Sequence, residues 1–290
     1  MNIETCAIAN QPTFATPEPI TVSIELSVGD VRVVASDRAD TTVQITPADE
    51  SRVQDVRDAG QTRVERVPGG LVVKAPKPRG LGLLGKPGSV NVTIELPAGS
   101  GLRGDASVGS FHGEGRLGEV TIKTSVGDID LDQAGRIDLS AGVGAITVGK
   151  VGGDAEVATG TGRIRLGEID GSAVVSNSNG GTRIDAVAGN LRAHASNGDL
   201  AVGRADGNVT ATAGHGEIRI GEVSRGTADI KTGFGEIEVG LRSDAARLDL
   251  FTSFGRVRNS LNPAGAPEHA DAILVVSART SHGDITVRRA

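Results

Sequence analysis

The sequence contains almost no aromatic residues: among 290 residues there is no tryptophan, no tyrosine and only five phenylalanines. The core must therefore be built from Val, Ile, Leu and Ala, which fill a thin interior well and a wide one poorly. Aromatic residues interleaved with basic stripes, the usual mark of a nucleic-acid groove, are absent. The net charge of −6 also argues against such a groove, so we expect no nucleic-acid partner.

Cysteine, targeting segments and long apolar runs are scarce as well. The single cysteine, Cys6, excludes an intramolecular disulfide framework and a cysteine-based zinc site. The first residues lack the basic and then apolar stretches of a signal peptide. No run approaches the roughly 18 apolar residues that a membrane span needs. The sequence thus predicts a cytoplasmic protein without a membrane span.

Glycine, by contrast, is abundant, with 42 residues, and its placement is periodic. Many glycines occupy the centre of a signature that reads Ser or Gly, any residue, Gly, any residue, aliphatic. The central glycines are Gly109, Gly127, Gly144, Gly162, Gly180, Gly198, Gly216, Gly235, Gly255 and Gly283. Their spacing is nearly constant, and only the last interval is clearly longer than the others. A short, regular repeat built from strand-like segments predicts a solenoid.

Within one repeat, apolar and polar residues alternate with the period of two that is typical of strands. The positions predicted to face inward after Gly198 are Leu200, Val202, Ala205, Val209, Ala211 and Ala213, and in the next repeat Ile218, Ile220, Val223, Ala228, Ile230 and Thr232. Each repeat is then two short strands with tight, glycine-containing corners. We predict an all-β fold, a single-stranded β-helix (β-solenoid) of about ten coils of about 18 residues each.

The N-terminal part of the chain, residues 1–104, differs from the rest. The alternation there predicts strands at Ile20–Leu26, Thr42–Thr46 and Asn91–Leu96, and Thr46 followed by Pro47 predicts a short helix to about Ala59. An early copy of the signature, Ser27–Val31, stands far ahead of the others. The Pro/Gly-rich loop Lys77–Gly88 carries a leucine cluster that fits either a covering loop or a partner-docking tip. We predict a β-rich cap at 1–104 and β-solenoid repeats at 105–290.

Several stretches resemble the bacterial putative-adhesin β-strand-repeat family, a domain family of unknown biochemical activity. The supporting segments are SVGDIDLDQAG (Ser125–Gly135), TGTGRIRLGEIDG (Thr159–Gly171), SNGDLAVGRADG (Ser196–Gly207) and TGFGEIEVG (Thr232–Gly240), with VNVTIELPAG (Val90–Gly99) ahead of them. The resemblance covers nearly the whole chain. It implies a β-solenoid with no established catalysis, and it supplies no functional residues that could be carried over.

Stacked coils turn equivalent positions into columns about 4.8 Å apart. The column before the central glycines reads Val108, Val126, Val143, Thr161, Asn179, Asn197, His215, Phe234, Phe254 and His282. We expect an amide ladder from its two asparagines and an exposed aromatic edge from its rings. The candidate interaction strip is Asn179, Asn197, His215, Phe234 and Phe254. Purely structural stacking at a sharp corner fits the same column, so both interpretations stay open.

Acidic residues also align. The position after the central glycine reads Asp199, Glu217 and Glu236, a row that could bind a cation or a basic segment but also fits a solvated face balanced by outward arginines. Asp128, Asp130 and Asp132 alternate along one outward face, yet they do not form the twelve-residue calcium loop. We therefore predict no metal site and no cofactor.

Catalytic motifs are missing. The five histidines lie in unrelated repeats or loops, and no nucleophile elbow, phosphate-cradling loop or His-Glu-x-x-His sequence occurs. We predict a protein without catalytic residues that presents flat polar faces for protein or surface interaction. One alternative is a bactofilin-like polymerising scaffold, and a third is a carbohydrate-active β-helix enzyme. An uncapped solenoid end would also allow a homodimer.

Overall fold

The computed structural model describes residues 12–76, 87–242, 246–261 and 274–290. The chain divides into two compact units, Met1–Ala134 and Gly135–Ala290. Strands dominate both units, and a single helix occurs in the described residues. No helix among these residues is long and apolar enough to cross a membrane.

The first unit contains, in its described residues, eleven strands and the helix. They are β1 (Thr13–Ala15), β2 (Thr21–Val28), β3 (Val31–Ser36), β4 (Asp40–Pro47), α1 (Val53–Gln61), β5 (Arg63–Val67), β6 (Gly70–Lys74), β7 (Val90–Pro97), β8 (Gly101–Val108), β9 (Phe111–Arg116), β10 (Val120–Val126) and β11 (Ile129–Ala134). One sheet has the order β1-β4-β7-β3-β9-β11 and the other β10-β8-β2-β6-β5.

The second unit consists of strands alone in its described residues. They are β12 (Ile137–Val143), β13 (Ile146–Val151), β14 (Ala155–Thr161), β15 (Ile164–Ile169), β16 (Ala173–Asn179), β17 (Thr182–Val187), β18 (Leu191–Asn197), β19 (Leu200–Ala205), β20 (Val209–His215), β21 (Ile218–Val223), β22 (Thr227–Phe234), β23 (Ile237–Leu241), β24 (Ala246–Phe254), β25 (Val257–Asn259), β26 (Leu274–His282) and β27 (Ile285–Arg289).

The strands of the second unit form two parallel sheets. One has the order β13-β15-β17-β19-β21-β23-β27-β25, and the other β12-β14-β16-β18-β20-β22-β26-β24. Each coil contributes one strand to each sheet, and Leu191 pairs with Val209, the equivalent residue of the next coil. The predicted β-solenoid is therefore confirmed.

The interior is aliphatic, as the scarcity of aromatic residues predicts. All twelve inward positions predicted for the repeats after Gly198 and Gly216 are buried. Ile218 and Ile230, for example, are fully buried, and the polar Thr232 is only 5% exposed. Because inward and outward residues alternate, every second side chain lies in this core. There it packs against residues of the neighbouring strands, which stabilises each strand from both sides.

The N-terminal segment contributes a coil of its own. Strand β2 pairs in parallel with β8, and β3 pairs in parallel with β9, although the members of each pair are far apart in sequence. The corner between β2 and β3 contains Gly29, whose N–H donates to the Val108 carbonyl at 2.9 Å. The early signature copy thus stacks directly on the later ones. Strand pairing continues on both sides of residue 104. The domain boundary that the sequence predicts at this residue stays a prediction.

The three N-terminal strands predicted from the sequence are present as β2, β4 and β7, but the predicted start of the helix is wrong. Pro47 ends β4, which pairs antiparallel with β7, and helix α1 begins at Val53. Backbone pairing with a neighbouring strand outweighs the local capping signal of Thr46 and Pro47. Most of the leucine-bearing loop lies outside the described residues, as does the polar segment Asn262–Asp271.

The order of the last two coils differs from the order of the chain. Strand β26 lies between β22 and β24, so the segment that comes later in sequence forms the inner coil. The inward residues of β26 are fully buried, whereas those of the outer strand β24 are half-buried. The sequence pattern is the same in both segments, which is why it predicts the coils but not their order.

Replacing Ile218 by aspartate is expected to unfold the protein. The side chain is fully buried between the paired Leu200 and Ile237, and an unpaired buried charge costs about 4 kcal/mol or more. Urea denaturation followed by circular dichroism measures the effect. Ser176→Asp, at an exposed outward position, is the matched control and should change stability by less than about 0.5 kcal/mol. Wild-type stability of Ile218→Asp would contradict the inward register.

Candidate functional site

The corner that carries the candidate strip depends on glycine. Gly216, directly after His215, has φ of +145°, and a Cβ on it would lie 2.2 Å from the carbonyl oxygen of Gly198 in the neighbouring coil. Both the backbone conformation and the close approach of the two main chains exclude a side chain. The residue before the glycine is thereby held at the outer edge of the corner.

Buried threonines bind the corner carbonyls from the inside. The Thr232 hydroxyl donates to the carbonyl of Gly216 at 3.1 Å, and Thr280 donates in the same way to Gly235. Thr124 and Thr159 repeat the contact at other corners, as does the half-buried Thr252 on β24. A buried hydroxyl that makes this bond stabilises the turn, since an unpaired one is costly. Sequence analysis missed this role; its signal is a threonine at the third position before a central glycine.

The five predicted strip residues do lie in one surface column. Asn179, Asn197, His215 and Phe234 are successive partners on β16, β18, β20 and β22. The Asn197 side-chain amide donates to the Asn179 carbonyl oxygen at 3.1 Å, which confirms the expected amide ladder. The rings of His215 and Phe234 stack with centroids 4.9 Å apart and planes within 3°. Whether the column binds a partner stays a proposal.

The order of the rings differs from the sequence-based expectation. Because β26 lies inside β24, His282 stands between Phe234 and Phe254, with centroid distances of 4.7 and 4.8 Å. His282 is thus separated from His215 by one ring, rather than by two. We call the four stacked side chains His215, Phe234, His282 and Phe254 the ring ladder. Phe234 is 49% exposed and Phe254 is 69% exposed, so the ladder is a solvent-facing edge.

The acidic row after the central glycines is engaged within the fold. A carboxylate oxygen of Asp199 accepts the backbone N–H of Glu217 at 2.9 Å, and Glu217 pairs with Arg219 at 2.6 Å. At the end of the column, Asp284 accepts the N–H of Arg256 at 2.9 Å. The two aspartates tie neighbouring coils together, and Glu217 is balanced by an arginine of its own coil, as the interpretation of a balanced face predicts.

The three alternating aspartates do not act as one cluster. Asp130 and Asp132 line an open depression of about 430 Å³ together with His112, Glu114 and Arg32. Glu114 pairs with Arg32 at 2.6 Å, and Asp132 accepts the backbone N–H of Gly115 at 3.0 Å. Among the described residues, no group of three or more His, Cys, Asp or Glu side chains is arranged to hold a metal ion.

The second corner of four successive coils contains a polar ladder that sequence analysis missed. Asp154 accepts the backbone N–H of Ser172 at 2.8 Å, the Ser172 hydroxyl accepts that of Asn190 at 3.2 Å, and Asn190 accepts that of Asn208 at 3.0 Å. Asn208 continues the series by accepting from Thr227 at 2.9 Å. The signal is a short polar residue that recurs once per repeat, each copy satisfying a main-chain donor of the next coil.

Comparison with known families settles the classification. The model of the family described as Toastrack DUF4097 matches residues 21–288, which is most of the chain. This chain belongs to the Toastrack DUF4097 family. The match includes β2 and β3, the N-terminal coil that stacks on the later repeats, and it extends into β27. No curated protein sequence matches this Toastrack chain significantly.

Solved structures from three bacteria align with nearly the whole chain. A putative cell adhesion protein from Clostridium sporogenes ATCC 15579 is 10% identical, with 97% of this chain and 99% of that chain covered and a TM-score of 0.20. A putative adhesin from Bacteroides fragilis NCTC 9343 is 13% identical, with 96% of each chain covered and a TM-score of 0.27. A putative adhesin from Parabacteroides distasonis ATCC 8503 is 14% identical, with coverage of 97% and 96% and a TM-score of 0.33.

Substituting alanine for Gly216 is expected to lower the free energy of unfolding by about 2 kcal/mol or more, because the new Cβ meets the Gly198 carbonyl at a positive φ. Urea denaturation measures the loss. Gly181→Ala is the matched control, since a Cβ there has no atom within 4 Å and should change stability by less than about 1 kcal/mol. Equal stability of the two variants would show that the corner tolerates a side chain.

Proposed function

We propose that this Toastrack protein is a non-catalytic, adhesin-like module that binds a macromolecule through the polar outer faces of its sheets. The supporting observation is a row of small or polar side chains on one outer face. The row consists of Ser140, Ala158, Ser176, His194 and Thr212, which are successive strand partners. His194 and Thr212 are hydrogen-bonded to each other at 3.1 Å.

On the side of the row that faces the corner glycines, this face is flat because of the residues that lie there. The next outward positions along each strand are Gly142, Gly160, Ser178, Ser196 and Gly214. Such side chains project little, so a partner surface can approach several coils at once. Packed parallel strands are rigid, and a rigid surface loses little conformational entropy when it binds.

We also propose that the protein has no catalytic role. A glycoside hydrolase needs two free carboxyl groups roughly 5 to 9.5 Å apart across a substrate cleft. In the depression lined by Asp130 and Asp132, an ion pair holds Glu114 and a main-chain hydrogen bond holds Asp132. Carboxylates that stabilise the fold in this way are poorly suited to proton transfer. The cytoplasmic location stays a prediction.

Site-specific photo-crosslinking tests the binding faces. A benzophenone amino acid replaces Ser176 on one sheet or Arg183 on the other, both exposed, in cells that express the protein. We expect a discrete crosslinked product from at least one of these positions, because a bound partner covers that face. The control is Ala188, which is exposed at the corner between the sheets and has no side-chain hydrogen bond to lose. No product above that control from either face would contradict the proposed function.

The scaffold alternative depends on open strand edges. In the described residues, the nine-residue strand β24 ends its sheet, and an unpaired strand edge can pair with another chain. In the first unit, the outer strands β1, β4 and β5 pair antiparallel and so depart from the parallel repeat that a stacked copy would continue. We infer that pairing through β24 joins two copies at most.

Analytical sedimentation over a wide concentration range tests this inference. We expect a monomer or a closed dimer at every concentration, because among the described residues only the coil of β24 and β25 offers the parallel edge that a stacked copy would continue. The control is Leu250→Lys, which places a charge at a half-buried inward position of β24 and should shift any dimer towards monomer. Filaments in the pelleted fraction would favour the bactofilin-like scaffold instead.

A further inference from the structure

A groove lies beside the ring ladder on the outer face of β22, β26 and β24. Lys231, Arg279 and Phe251 are partners on these three strands, each at the third position before its ladder ring. Between this row and the ladder are only small residues, Gly233 and Ser281 among them. The groove runs between this row of long side chains and the ladder. Its open depression of about 560 Å³ is lined by the row together with Asp249, Ser253 and Ser281, and the ladder rings lie beyond this lining.

The ladder presents ring edges rather than ring faces to this groove. Phe234 is stacked between His215 and His282, with planes within 12°, so both of its faces are covered. The edge of an aromatic ring is electropositive, because the quadrupole places negative charge on its faces. Each imidazole adds an N–H donor at its edge. This edge beside the groove favours electron-rich ligand atoms and is unsuited to stacking of a flat apolar ligand.

The opposite side of the groove carries two cations, each paired with a carboxylate. Lys231 and Arg279 are each about half exposed, and they pair with Asp229 and Asp249, both at 2.8 Å. The hydrogen bond to Asp249 raises the pKa of Arg279 above its usual value, so the guanidinium stays charged. A guanidinium has five N–H donors and an ammonium three, and these pairs use one donor of each. The remaining donors are available to an anionic ligand.

The floor offers hydroxyl groups, and its main-chain groups are engaged except along the outer edge of β24. Ser281 lies on β26, which pairs with strands on both sides, whereas Ser253 lies on β24, which pairs on one side; both serines are exposed. An extended peptide that lies across these strands would bring N–H and C=O groups that the floor cannot satisfy, and a peptide could pair only at the β24 edge. A sugar chain brings hydroxyl groups, which match the serine hydroxyls, and makes no such demand.

We propose that this groove binds an acidic oligosaccharide, with its carboxylates on Lys231 and Arg279 and its hydroxyl groups on the serine floor and the imidazole edges. A pyranose ring is about as long as the spacing between coils, roughly 4.8 Å, so successive sugars can meet successive strands. Among the described residues that line the depression, Asp249 is the one acid, and Arg279 already holds it. The proposal rests on the proposed binding function and names a ligand class for it.

Isothermal titration of the full chain with the hexamers of galacturonic acid and of mannuronic acid tests the proposal. We expect at least one hexamer to bind, more weakly at higher salt because ion pairs are screened. Removing both cations in Lys231→Gln/Arg279→Gln should weaken binding about tenfold or more. Ser281→Phe, which fills the floor without changing the charge, should abolish it. Thermal melting of each variant verifies that it is folded.

Matched controls come from the first unit of the same chain. Lys123→Gln and Ser125→Phe change exposed outward residues of β10 and should leave the affinity within about twofold. Failure of both hexamers to bind would overturn the proposal, as would unchanged binding by Ser281→Phe. Equal affinity for cellohexaose would overturn the acidic character, and tighter binding of hexaglutamate would point to a peptide.

The result of this titration can be separated from the result of the photo-crosslinking that tests the proposed function. Photo-crosslinks on the sheet faces without oligosaccharide binding would overturn the groove assignment and leave the binding module intact. Groove-dependent binding of a hexamer without a crosslink at Ser176 or Arg183 would support the groove and overturn the remaining parts of the sheet faces as the binding surface.

Discussion

The close approach of successive corner glycines determines the geometry of the solenoid and of its surface. A Cβ on Gly216 or Gly235 would lie about 2 Å from the corner carbonyl of the neighbouring coil, so the main chains there are in direct contact. This contact holds the strands of neighbouring coils in parallel register. Residues at equivalent positions therefore become neighbours about 4.8 Å apart, whatever their chemistry. The amide ladder, the ring ladder and the buried threonines all follow from that register.

Much of the fold could be predicted because its determinants are local. The alternation around Leu200, Val202 and Ala205 specifies which side of a strand faces the core, and the nearly constant repeat length specifies which strands are equivalent. A surface column is a consequence of the same repeat. Asn179 and Asn197 could thus be placed side by side from the sequence, and their hydrogen bond has the expected geometry. The sequence therefore predicts those features that depend only on the position of a residue within one coil.

Features that depend on which coil lies next to which could not be predicted. Both β24 and β26 carry the same inward pattern, so no local signal shows that β26 takes the inner place. The same holds for β2, whose partner β8 is distant in sequence. The start of α1 was predicted wrongly for a related reason, since the pairing of β4 with β7 decides whether Pro47 begins a helix or ends a strand. In each case the deciding contact is between distant segments.

The exchange of the last two coils matters for the candidate site. If the coils followed the chain order, Phe234 and Phe254 would be adjacent and His282 would stand at the end. With β26 inside, each phenylalanine contacts at least one imidazole, and polar ring edges alternate with apolar ones along the groove. The exchange also brings Arg279 between Lys231 and Phe251, so two cations lie on neighbouring strands opposite the ladder. A solenoid can thus change the chemistry of a surface by reordering equivalent coils, while its core and its corners stay the same.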